Sequence, residues 1–447
     1  MFDREIIHRL REWKDKKNRK PLILRGARQV GKTTIIDLFS KEFDRYISLN
    51  LDIDEDKRLF DTYKNIEDLV EAIFLYKSSD GKNGKTLIFI DEIQNSPEAV
   101  AMLRYFYEKA GHLYVVAAGS LLETLIKKRI SFPVGRVEYL AVRPCSFREF
   151  LLAVGEQKSL ELVSTYPFPR YAHEKLLKLF RTYTLIGGMP EIVQHYANEP
   201  SIVALKPIYE GLIASYLDDV EKYGRNDLLV QVIRHVIQNS FYAAGSRIKF
   251  QGFGNSGYKN REMSEAFKTT EKAFLLQLVY PVTSTKLPRI PNYRRSPKLQ
   301  FVDTGLVNYF AGLQQQILGT KQLDDVYEGR IAEHIAGQEL LALNDSVLFK
   351  LNFWTREEKD ASAEVDFIFQ HKDMIFPIEV KSGASGKLRS LHQFIEVSPH
   401  KIAIRIFSGE MAVSEERTLK GTVYRLISIP FYLISQLPDY LNRIITA

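Results

Sequence analysis

The feature that most constrains this chain is a glycine-bounded loop that follows an apolar segment and precedes a helical one. The loop and the first residue after it are Gly26, Ala27, Arg28, Gln29, Val30, Gly31, Lys32, Thr33 and Thr34. Glycines let several backbone N–H groups converge on one phosphate, and the following helix N-terminus adds partial positive charge. We predict that Lys32 reaches the β- and γ-phosphates of ATP and that the Thr33 hydroxyl ligates Mg²⁺. The alternative is a glycine-containing turn before an ordinary helix.

A second apolar segment, residues 87–90, ends in two acids, Asp91 and Glu92. A continuous apolar run is typical of a strand buried on both faces of a parallel sheet. Asp91 would lie at the carboxyl end of that strand, where open α/β sheets bind ligands, and would hold Mg²⁺ directly or through water. Glu92 would polarise the attacking water. The alternative is a strand that ends in a solvated acidic turn, but the adjacent pair favours ATP hydrolysis over nucleotide binding alone.

Composition sets limits on the class of protein. A chain of 447 residues is too long for one core and predicts roughly two to four domains. The single cysteine, Cys145, excludes an internal disulfide and fits a reducing compartment. We expect a cytoplasmic location and no membrane partner, because no apolar signal core opens the chain and its apolar runs are too short to span a bilayer. The net charge of +7 permits a nucleic-acid partner without establishing one.

Three fragments near the C-terminus predict a second chemical site. Glu333 lies on a predicted helix, Asp366 on a predicted strand, and Glu379 and Lys381 two residues apart on the next strand, so that they share one face. Antiparallel pairing through a turn at residues 371–373 would bring Asp366 and Glu379 to one divalent cation, Mg²⁺ or Mn²⁺. Lys381 would orient or activate water, or stabilise charge that develops on phosphorus.

This order of residues is the PD-(D/E)xK nuclease pattern. Gln393 lies on the following predicted helix, where such folds often carry another polar residue. The residue before Asp366 is Val365 rather than proline, which is a departure from the pattern. The alternative is a nuclease-like fold whose acids are only solvated or paired with Lys381.

Together the motifs resemble a family of prokaryotic AAA+-like P-loop ATPases that carry a C-terminal PD-(D/E)xK-type domain. The segments that carry the resemblance are residues 26–33, 87–92, 119–120, 135–136, 144–150, 187–191, 298–306, 354–355, 364–367 and 378–381. The resemblance implies an α/β fold with four parts. These are an AAA+-like ATPase domain with a parallel sheet at residues 1–150, a helical lid or connector at 151–226, a winged-helix-like region at 227–318, and an α/β restriction-endonuclease-like domain at 319–447.

The resemblance also suggests two further ATPase residues. Ser120 follows the predicted strand beside the Asp91 strand, where such ATPases carry a polar sensor of the γ-phosphate; it would alternatively cap the next helix. Arg136, after Gly135, occupies the position of an arginine finger given to a neighbouring subunit of a homo-oligomer. The alternative for Arg136 is a local salt bridge.

If the middle region is a winged helix, residues 261–278 would be its recognition helix. The basic residues in or near its wing, with Tyr293 among them, would be Lys286, Arg289, Arg294, Arg295 and Lys298. Such a stretch suits DNA phosphates. The alternatives are a solvated basic loop or a contact between domains.

The leading functional hypothesis is an ATP-hydrolysing, DNA-associated enzyme whose C-terminal site cleaves or grips DNA. A second hypothesis is a nucleotide-dependent switch whose C-terminal domain binds DNA or a protein partner without cleavage. A third, a kinase-like phosphotransferase, is disfavoured by the Asp91–Glu92 pair.

Overall fold

The chain divides into two compact units. The computed structural model describes residues 2–78, 84–119, 133–224, 226–314, 329–356, 363–383 and 388–446. The first unit consists of Met1–Arg143 together with Lys272–Phe274 and Asp345–Leu348, and the second unit of the remaining residues. The finer division of the second unit into lid, winged-helix-like region and nuclease-like domain stays a prediction.

The first unit is built on a parallel sheet, as the sequence predicts. Its strands within the described residues are β1 (Leu22–Arg25), β2 (Arg45–Asn50), β3 (Thr86–Asp91), β4 (Tyr114–Gly119) and β5 (Glu138–Ala141). They lie in the order β2-β3-β4-β1-β5, and each neighbouring pair is parallel. The side chains of β4 are all buried, and those of β3 are buried up to Asp91. The loop after β1 and the acids after β3 therefore open at the same edge of the sheet.

Helices cover this sheet. They are Ile6–Lys14, Lys32–Ser40, Asp54–Thr62, Ile66–Tyr76 and Pro97–Lys109. Pro97 occupies the first turn of its helix, and the Ser96 side chain caps that helix by accepting from Ala99 N at 3.1 Å. The helix Asp54–Thr62 was not predicted, because it is short and only three of its side chains are buried.

The rest of the chain is richer in helices. Their bounds are Phe147–Ala153, Gln157–Val163, His173–Ile186, Pro190–Asn198, Lys206–Asp218, Val220–Tyr223, Asp227–Ala243, Asn260–Lys272, Thr304–Phe310, Arg330–Ala342, Arg389–Val397 and Leu437–Thr446. The predicted recognition helix at 261–278 is wrong in its last part. It ends at Lys272, and Phe274 then has a φ of 61°, a left-handed conformation that is incompatible with a continued helix.

The second unit contains a mixed sheet. Its strands are β6 (Leu276–Val282), β7 (Lys298–Phe301), β8 (Asn352–Thr355), β9 (Glu364–His371), β10 (Met374–Val380), β11 (Ile402–Phe407), β12 (Ala412–Arg417) and β13 (Val423–Pro430). They lie in the order β12-β13-β11-β10-β9-β8-β6-β7. β9 and β10 form the predicted antiparallel hairpin. Because β6 pairs with β8, one sheet runs across the predicted boundary between residues 318 and 319.

A buried polar network lies beside this sheet, around Asp303. Its two carboxylate oxygens accept from Gly188 N at 2.6 Å and from Leu306 N at 3.1 Å. Gln338 Nε2 donates to Asp303 at 3.3 Å and to the Tyr183 hydroxyl at 3.1 Å. Complete burial raises the pKa of Asp303 to about 6, and the backbone donors reduce that effect. The network joins segments that are far apart in sequence.

Candidate functional site

The loop between β1 and the helix Lys32–Ser40 has the backbone that a phosphate cradle requires. Gln29 and Gly31 have φ values of 62° and 86°, in the left-handed region. A Cβ atom at Gly26 would lie 2.2 Å from Val142 O, so this position has no room for a side chain. Ala27 and Val30 are buried and therefore contribute backbone rather than side-chain groups to the loop.

Lys32 lies across the loop. Its ammonium donates to Gly26 O at 3.1 Å and to Ala27 O at 2.8 Å. Burial of the ammonium lowers the pKa of Lys32 to about 8, although the carboxylates of Glu92 and Asp91 act in the opposite direction. The charge is thus held by neutral carbonyl oxygens rather than by a direct ion pair.

Thr33 and Asp91 meet at the same edge of the sheet. The Thr33 hydroxyl donates to Asp91 Oδ2 at 2.7 Å, and Glu92 N donates to Asp91 Oδ1 at 2.9 Å. A hydroxyl and a carboxylate oxygen at this separation are hard ligands of the kind that Mg²⁺ prefers. The two residues predicted to hold this ion therefore fit it. Thr34, one residue further along the helix, is exposed.

Glu92 follows Asp91 in a left-handed conformation, with a φ of 49°. Gln94 Nε2 donates to Glu92 Oε2, and a Cβ atom on Gly119 would lie 2.3 Å from Gln94 Oε1. Gln94 therefore lies between the end of β4 and the carboxylate. Burial, followed by the repulsion of Asp91, raises the pKa of Glu92.

The sequence gives little warning of two supporting residues of this site. Gln94 is signalled only by its position two residues after the acid pair. Arg4 is 8% exposed and lies far from the loop in sequence; its guanidinium donates to Val30 O at 3.2 Å and to Arg143 O at 2.7 Å. Arg4 thereby fixes the backbone of the loop. Arg28, inside the loop, adds a positive charge that lowers the pKa of Lys32 further.

The two remaining predicted ATPase residues have different outcomes. Ser120 lies outside the described residues. Arg136 forms an ion pair with Glu108 at 2.9 Å, and Arg104 contacts the same carboxylate oxygen at 3.0 Å. Arg136 holds the pKa of Glu108 below its usual value, and Arg104 adds to this effect. This contact is the local salt bridge of the alternative reading, and the role of Arg136 at a neighbouring subunit stays a prediction.

The C-terminal fragments come together as predicted. Val380 N donates to Asp366 Oδ2 at 2.8 Å, across the β9–β10 pair, which brings Asp366 beside Glu379. Lys381 Nζ lies 2.6 Å from Glu379 Oε1. Glu333, on the helix Arg330–Ala342, completes the carboxylates that the sequence predicts here.

Lys298 is placed differently from the prediction. Grouped by sequence with the basic residues of a wing, it is 7% exposed, so it does not face solvent. Its Nζ lies 2.8 Å from Glu333 Oε2, 2.8 Å from Glu364 Oε1 and 3.4 Å from Asp366 Oδ1. Burial opposes its charge, but the three carboxylates outweigh burial and raise the pKa of Lys298 above its usual value. We call Lys298, Glu333, Glu364, Asp366, Glu379 and Lys381 the carboxylate cluster.

Two acids of the carboxylate cluster, Glu333 and Glu379, have raised pKa values. Burial, followed by the charge of Asp366, raises the pKa of both Glu333 and Glu379 to about 7. Glu379 Oε2 is buried and has no hydrogen-bond partner among the described residues. Over the same described ranges, no group of three or more His, Cys, Asp or Glu side chains is arranged to hold a metal ion.

The other predicted contact residues of the second unit lie around this site and in the β6–β7 connection. Gln393 Oε1 accepts from Arg356 Nη1 at 3.4 Å. Tyr293 is 73% exposed and packs edge-on against Tyr280, with ring centroids 4.8 Å apart. Lys286, Arg294 and Arg295 are exposed, and Arg289 is half-buried.

Comparison with known families finds a match for the first part of the chain. Residues 18–151 match the family model described as AAA domain, so this part is similar to AAA-type P-loop ATPase domains. Residues 177–317 and 328–432 match two models described only as domains of unknown function, DUF8612 and DUF4143. No curated protein matches the chain.

Solved structures give weaker similarities. PCH-2 from C. elegans is 12% identical with a TM-score of 0.25, and the match covers 44% of this chain and 60% of that chain. ORC1 from Aeropyrum pernix, in complex with DNA, is 12% identical with a TM-score of 0.26, over 70% of this chain and 93% of that one. The Thermotoga maritima RuvB Holliday junction branch migration motor is 13% identical with a TM-score of 0.27, over 66% and 93%. At TM-scores this low, these structures carry no argument about function.

One further property concerns membranes. No described helix combines the length and the apolar character needed to cross a bilayer.

Proposed function

We propose that the chain binds ATP with Mg²⁺ at the loop of residues 26–34 and hydrolyses it. The observation that carries this proposal is the 2.7 Å contact between the Thr33 hydroxyl and Asp91, with Lys32 and Glu92 at the same edge of the sheet. One site thus supplies the two residues that would hold Mg²⁺, an ammonium for the phosphates and a carboxylate for the attacking water.

Each residue of this site has a separate part in hydrolysis. The backbone N–H groups of residues 28–33 bind the phosphates, and Lys32 exchanges its carbonyl acceptors for phosphate oxygens. Mg²⁺, when bound to Thr33 and Asp91, would neutralise charge on the β- and γ-phosphates. Glu92 orients the water and accepts its proton as the water oxygen bonds to the γ-phosphorus. The bond from the γ-phosphorus to the β–γ bridging oxygen breaks in the same step, so that ADP leaves and inorganic phosphate is formed. Gln94 holds the Glu92 carboxylate in place for that step.

Variants of this site test the proposal. Asp91→Asn and Thr33→Ala should lose Mg²⁺-dependent ATP hydrolysis while the chain stays folded. Lys41→Ala is the matched control, since Lys41 is exposed at the C-terminal end of the same helix and outside the loop. Normal turnover in Asp91→Asn would contradict the assignment.

We propose also that Arg136 completes the ATP site of a neighbouring copy in a homo-oligomer. It is 44% exposed and carries a permanent planar charge that suits γ-phosphate oxygens. Arg136→Ala should lower turnover on the order of 1,000-fold. Arg104→Ala removes the other partner of Glu108 and should leave turnover unchanged. Equal effects of the two variants would identify Arg136 as a local salt-bridge residue.

DNA is the proposed partner of the second unit. The exposed basic and aromatic residues of the β6–β7 connection, which support this proposal, are Lys286, Tyr293, Arg294 and Arg295. Arg294→Ala/Arg295→Ala should weaken DNA binding and reduce its dependence on salt concentration. Arg417→Ala/Lys420→Ala, at exposed positions of the same unit, is the control. Equal affinity for DNA in the two double variants would contradict the assignment of the β6–β7 connection as the DNA-binding surface.

A second candidate function is metal-dependent DNA cleavage at the carboxylate cluster. It is favoured by the buried, unpartnered Glu379 Oε2 beside Asp366, and by Lys381 at 2.6 Å from the other oxygen. Mg²⁺ or Mn²⁺ would be held by Glu333, Asp366 and Glu379. Single-stranded, duplex and branched DNA should be cleaved with either ion, with or without ATP, and Asp366→Ala and Lys381→Ala should abolish cleavage. DNA binding without cleavage would indicate a nucleotide-dependent switch that holds DNA. Absence of both binding and cleavage would direct attention to a protein partner.

A further inference from the structure

The ammonium of Lys298 lies inside the carboxylate cluster that the second candidate function would use. We propose that Lys298 is the resident cation of this cluster, and that a divalent metal ion binds there only by displacing the Lys298 ammonium. This proposal rests on the same carboxylates as the second candidate function but does not depend on DNA cleavage. A site that cleaves no DNA would therefore not contradict it.

The geometry of Lys298 matches its donors to the surrounding acids. An ammonium has three N–H donors, and three carboxylates lie at 2.8, 2.8 and 3.4 Å from Nζ. The Phe353 ring lies on another side of the ammonium, with its centroid 5.2 Å away. Lys298 donates hydrogen bonds to Glu333 and Asp366 and forms an ion pair with Glu364, and its side chain is nearly excluded from solvent.

The other cations of this region lie at its periphery. Arg247 Nη2 contacts the second oxygen of Glu364 at 2.6 Å, and Lys381 contacts Glu379. Neither cation reaches Glu333 or Asp366 in the contacts of the described residues. Among the ion pairs of the described residues, those of Lys298 join a carboxylate of the helix Arg330–Ala342 to carboxylates of β9.

A metal ion and this ammonium would compete for the same oxygens. A divalent ion bound to Glu333 Oε2 would lie within about 5 Å of Lys298 Nζ, given metal–oxygen distances near 2.1 Å. Two neighbouring positive charges in a poorly solvated site repel strongly. Loss of Lys298 would conversely leave its carboxylates without their central cation and able to accept another. The Glu379 oxygen without a partner would be a further ligand.

Metal binding to the full chain tests this competition, with Mn²⁺ alone as the probe. All samples would carry Asp91→Ala to remove the predicted ATPase metal site, and free Mn²⁺ would be measured by electron paramagnetic resonance without nucleotide. Lys298→Met should gain one Mn²⁺ with a Kd at least tenfold lower than that of the Lys298 chain. Lys298→Arg, which keeps a cation, should not gain it. Arg247→Met is the matched control, because it removes one positive charge from Glu364 without emptying the centre of the cluster.

The outcomes separate the proposal from a simple charge effect. Equal Mn²⁺ affinity with and without Lys298, or an equal gain in Arg247→Met, would overturn it. Thermal unfolding gives a second readout. Lys298→Met should melt at a lower temperature and be restored by Mn²⁺, and adding Asp366→Asn should abolish that restoration. Should Lys298→Met not fold without metal, Lys298→Gln, which keeps N–H donors without charge, replaces it; unfolding of Lys298→Gln that Mn²⁺ does not shift would also overturn the proposal.

Discussion

The ATP site and the carboxylate cluster each combine a lysine with acids, but they hold that lysine in opposite ways, half-buried in the first and buried in the second. Lys32 donates to backbone carbonyl oxygens, and burial lowers its pKa to about 8. Lys298 lies among three carboxylates, which raise its pKa above the usual value. Neutral acceptors leave the charge of Lys32 available for an incoming phosphate. The charge of Lys298 is already neutralised by the protein itself.

The difference shows that residue types alone do not define a site. In the proposals made above, a lysine beside acidic residues binds phosphate in one surrounding and takes the place of a metal ion in the other. The two cases differ in the oxygen atoms that contact the ammonium, which are backbone carbonyls at Lys32 and carboxylates at Lys298. Four predictions about the two units are given below in order of expected effect.

The largest effect should come from removing the ammonium of the ATP site. Lys32→Ala should lower ATP hydrolysis on the order of 1,000-fold, because the variant loses the ammonium that would contact the β- and γ-phosphates. Lys41→Ala, an exposed lysine at the C-terminal end of the same helix, should hydrolyse ATP normally. The measurement is steady-state phosphate release. Full activity in Lys32→Ala would contradict the claim that the ammonium of Lys32 acts on the phosphates of ATP.

Removing the ammonium of the carboxylate cluster should instead damage stability. Lys298→Met should lower the unfolding free energy of the second unit by about 3 kcal/mol, because buried carboxylates lose their shared cation. Lys381→Met, at a more exposed pair with one carboxylate, should cost about 1 kcal/mol or less. Urea unfolding at pH 7 without metal measures both. Similar losses in the two variants would show that Lys298 has no central position.

A third prediction contrasts the pH response of the two units. The folded pKa of Asp303 is about 6, above its usual value of about 4. Between these values the folded chain keeps a proton that the unfolded chain has released, so the unfolding free energy of the second unit should fall as pH rises from about 4 to about 6, by up to about 1.4 kcal/mol per pH unit.

Lys32 acts in another window. The pKa of Lys32 is about 8 in the folded chain, which is below its value in the unfolded chain. The contribution of Lys32 to the unfolding free energy therefore rises with pH, from about pH 8 to about pH 10.5. Urea unfolding at half-unit steps of pH measures both windows. The slope between pH 4 and 6 should decrease in Asp303→Asn to the part that comes from Glu333 and Glu379, and should be unchanged in Lys32→Met. An unchanged slope in Asp303→Asn would assign the effect to another group.

The smallest effect concerns the positioning of Glu92. Gln94→Ala should lower kcat about tenfold with little change in KM, because the Glu92 carboxylate loses a donor while phosphate contacts remain. Gln94→Glu should behave similarly or worse, since it places a second carboxylate beside Glu92. The readout is the split between kcat and KM. A raised KM at unchanged kcat would assign Gln94 to nucleotide binding instead.

The parts of the molecule that sequence predicts well are local. The glycine loop, the β3 acids and the β9–β10 hairpin are each set by residues within a few positions of one another, so strand period and turn chemistry suffice. Asp366 and Glu379 meet because a short turn fixes their register.

The parts that sequence misses depend on distant segments. Arg4 reaches the ATP loop from the N-terminal helix region, and Lys298 reaches Asp366 from a strand outside the predicted nuclease-like domain. Nothing in the local pattern around Lys298 distinguishes a buried lysine from a solvated one, which is why it was grouped with Arg294 and Arg295. Its partners are fixed only when the sheet assembles across residues 318 and 319.

ATP hydrolysis by Glu92→Gln tests the central claim most directly, namely that this edge of the parallel sheet hydrolyses ATP through Glu92 after Lys32 and Thr33 have bound it. The experiment measures ATP affinity and single-turnover hydrolysis on the same sample. We predict that Glu92→Gln binds ATP with Mg²⁺ as tightly as the unaltered chain and hydrolyses it at least about 100-fold more slowly. Hydrolysis at the unaltered rate would contradict the account.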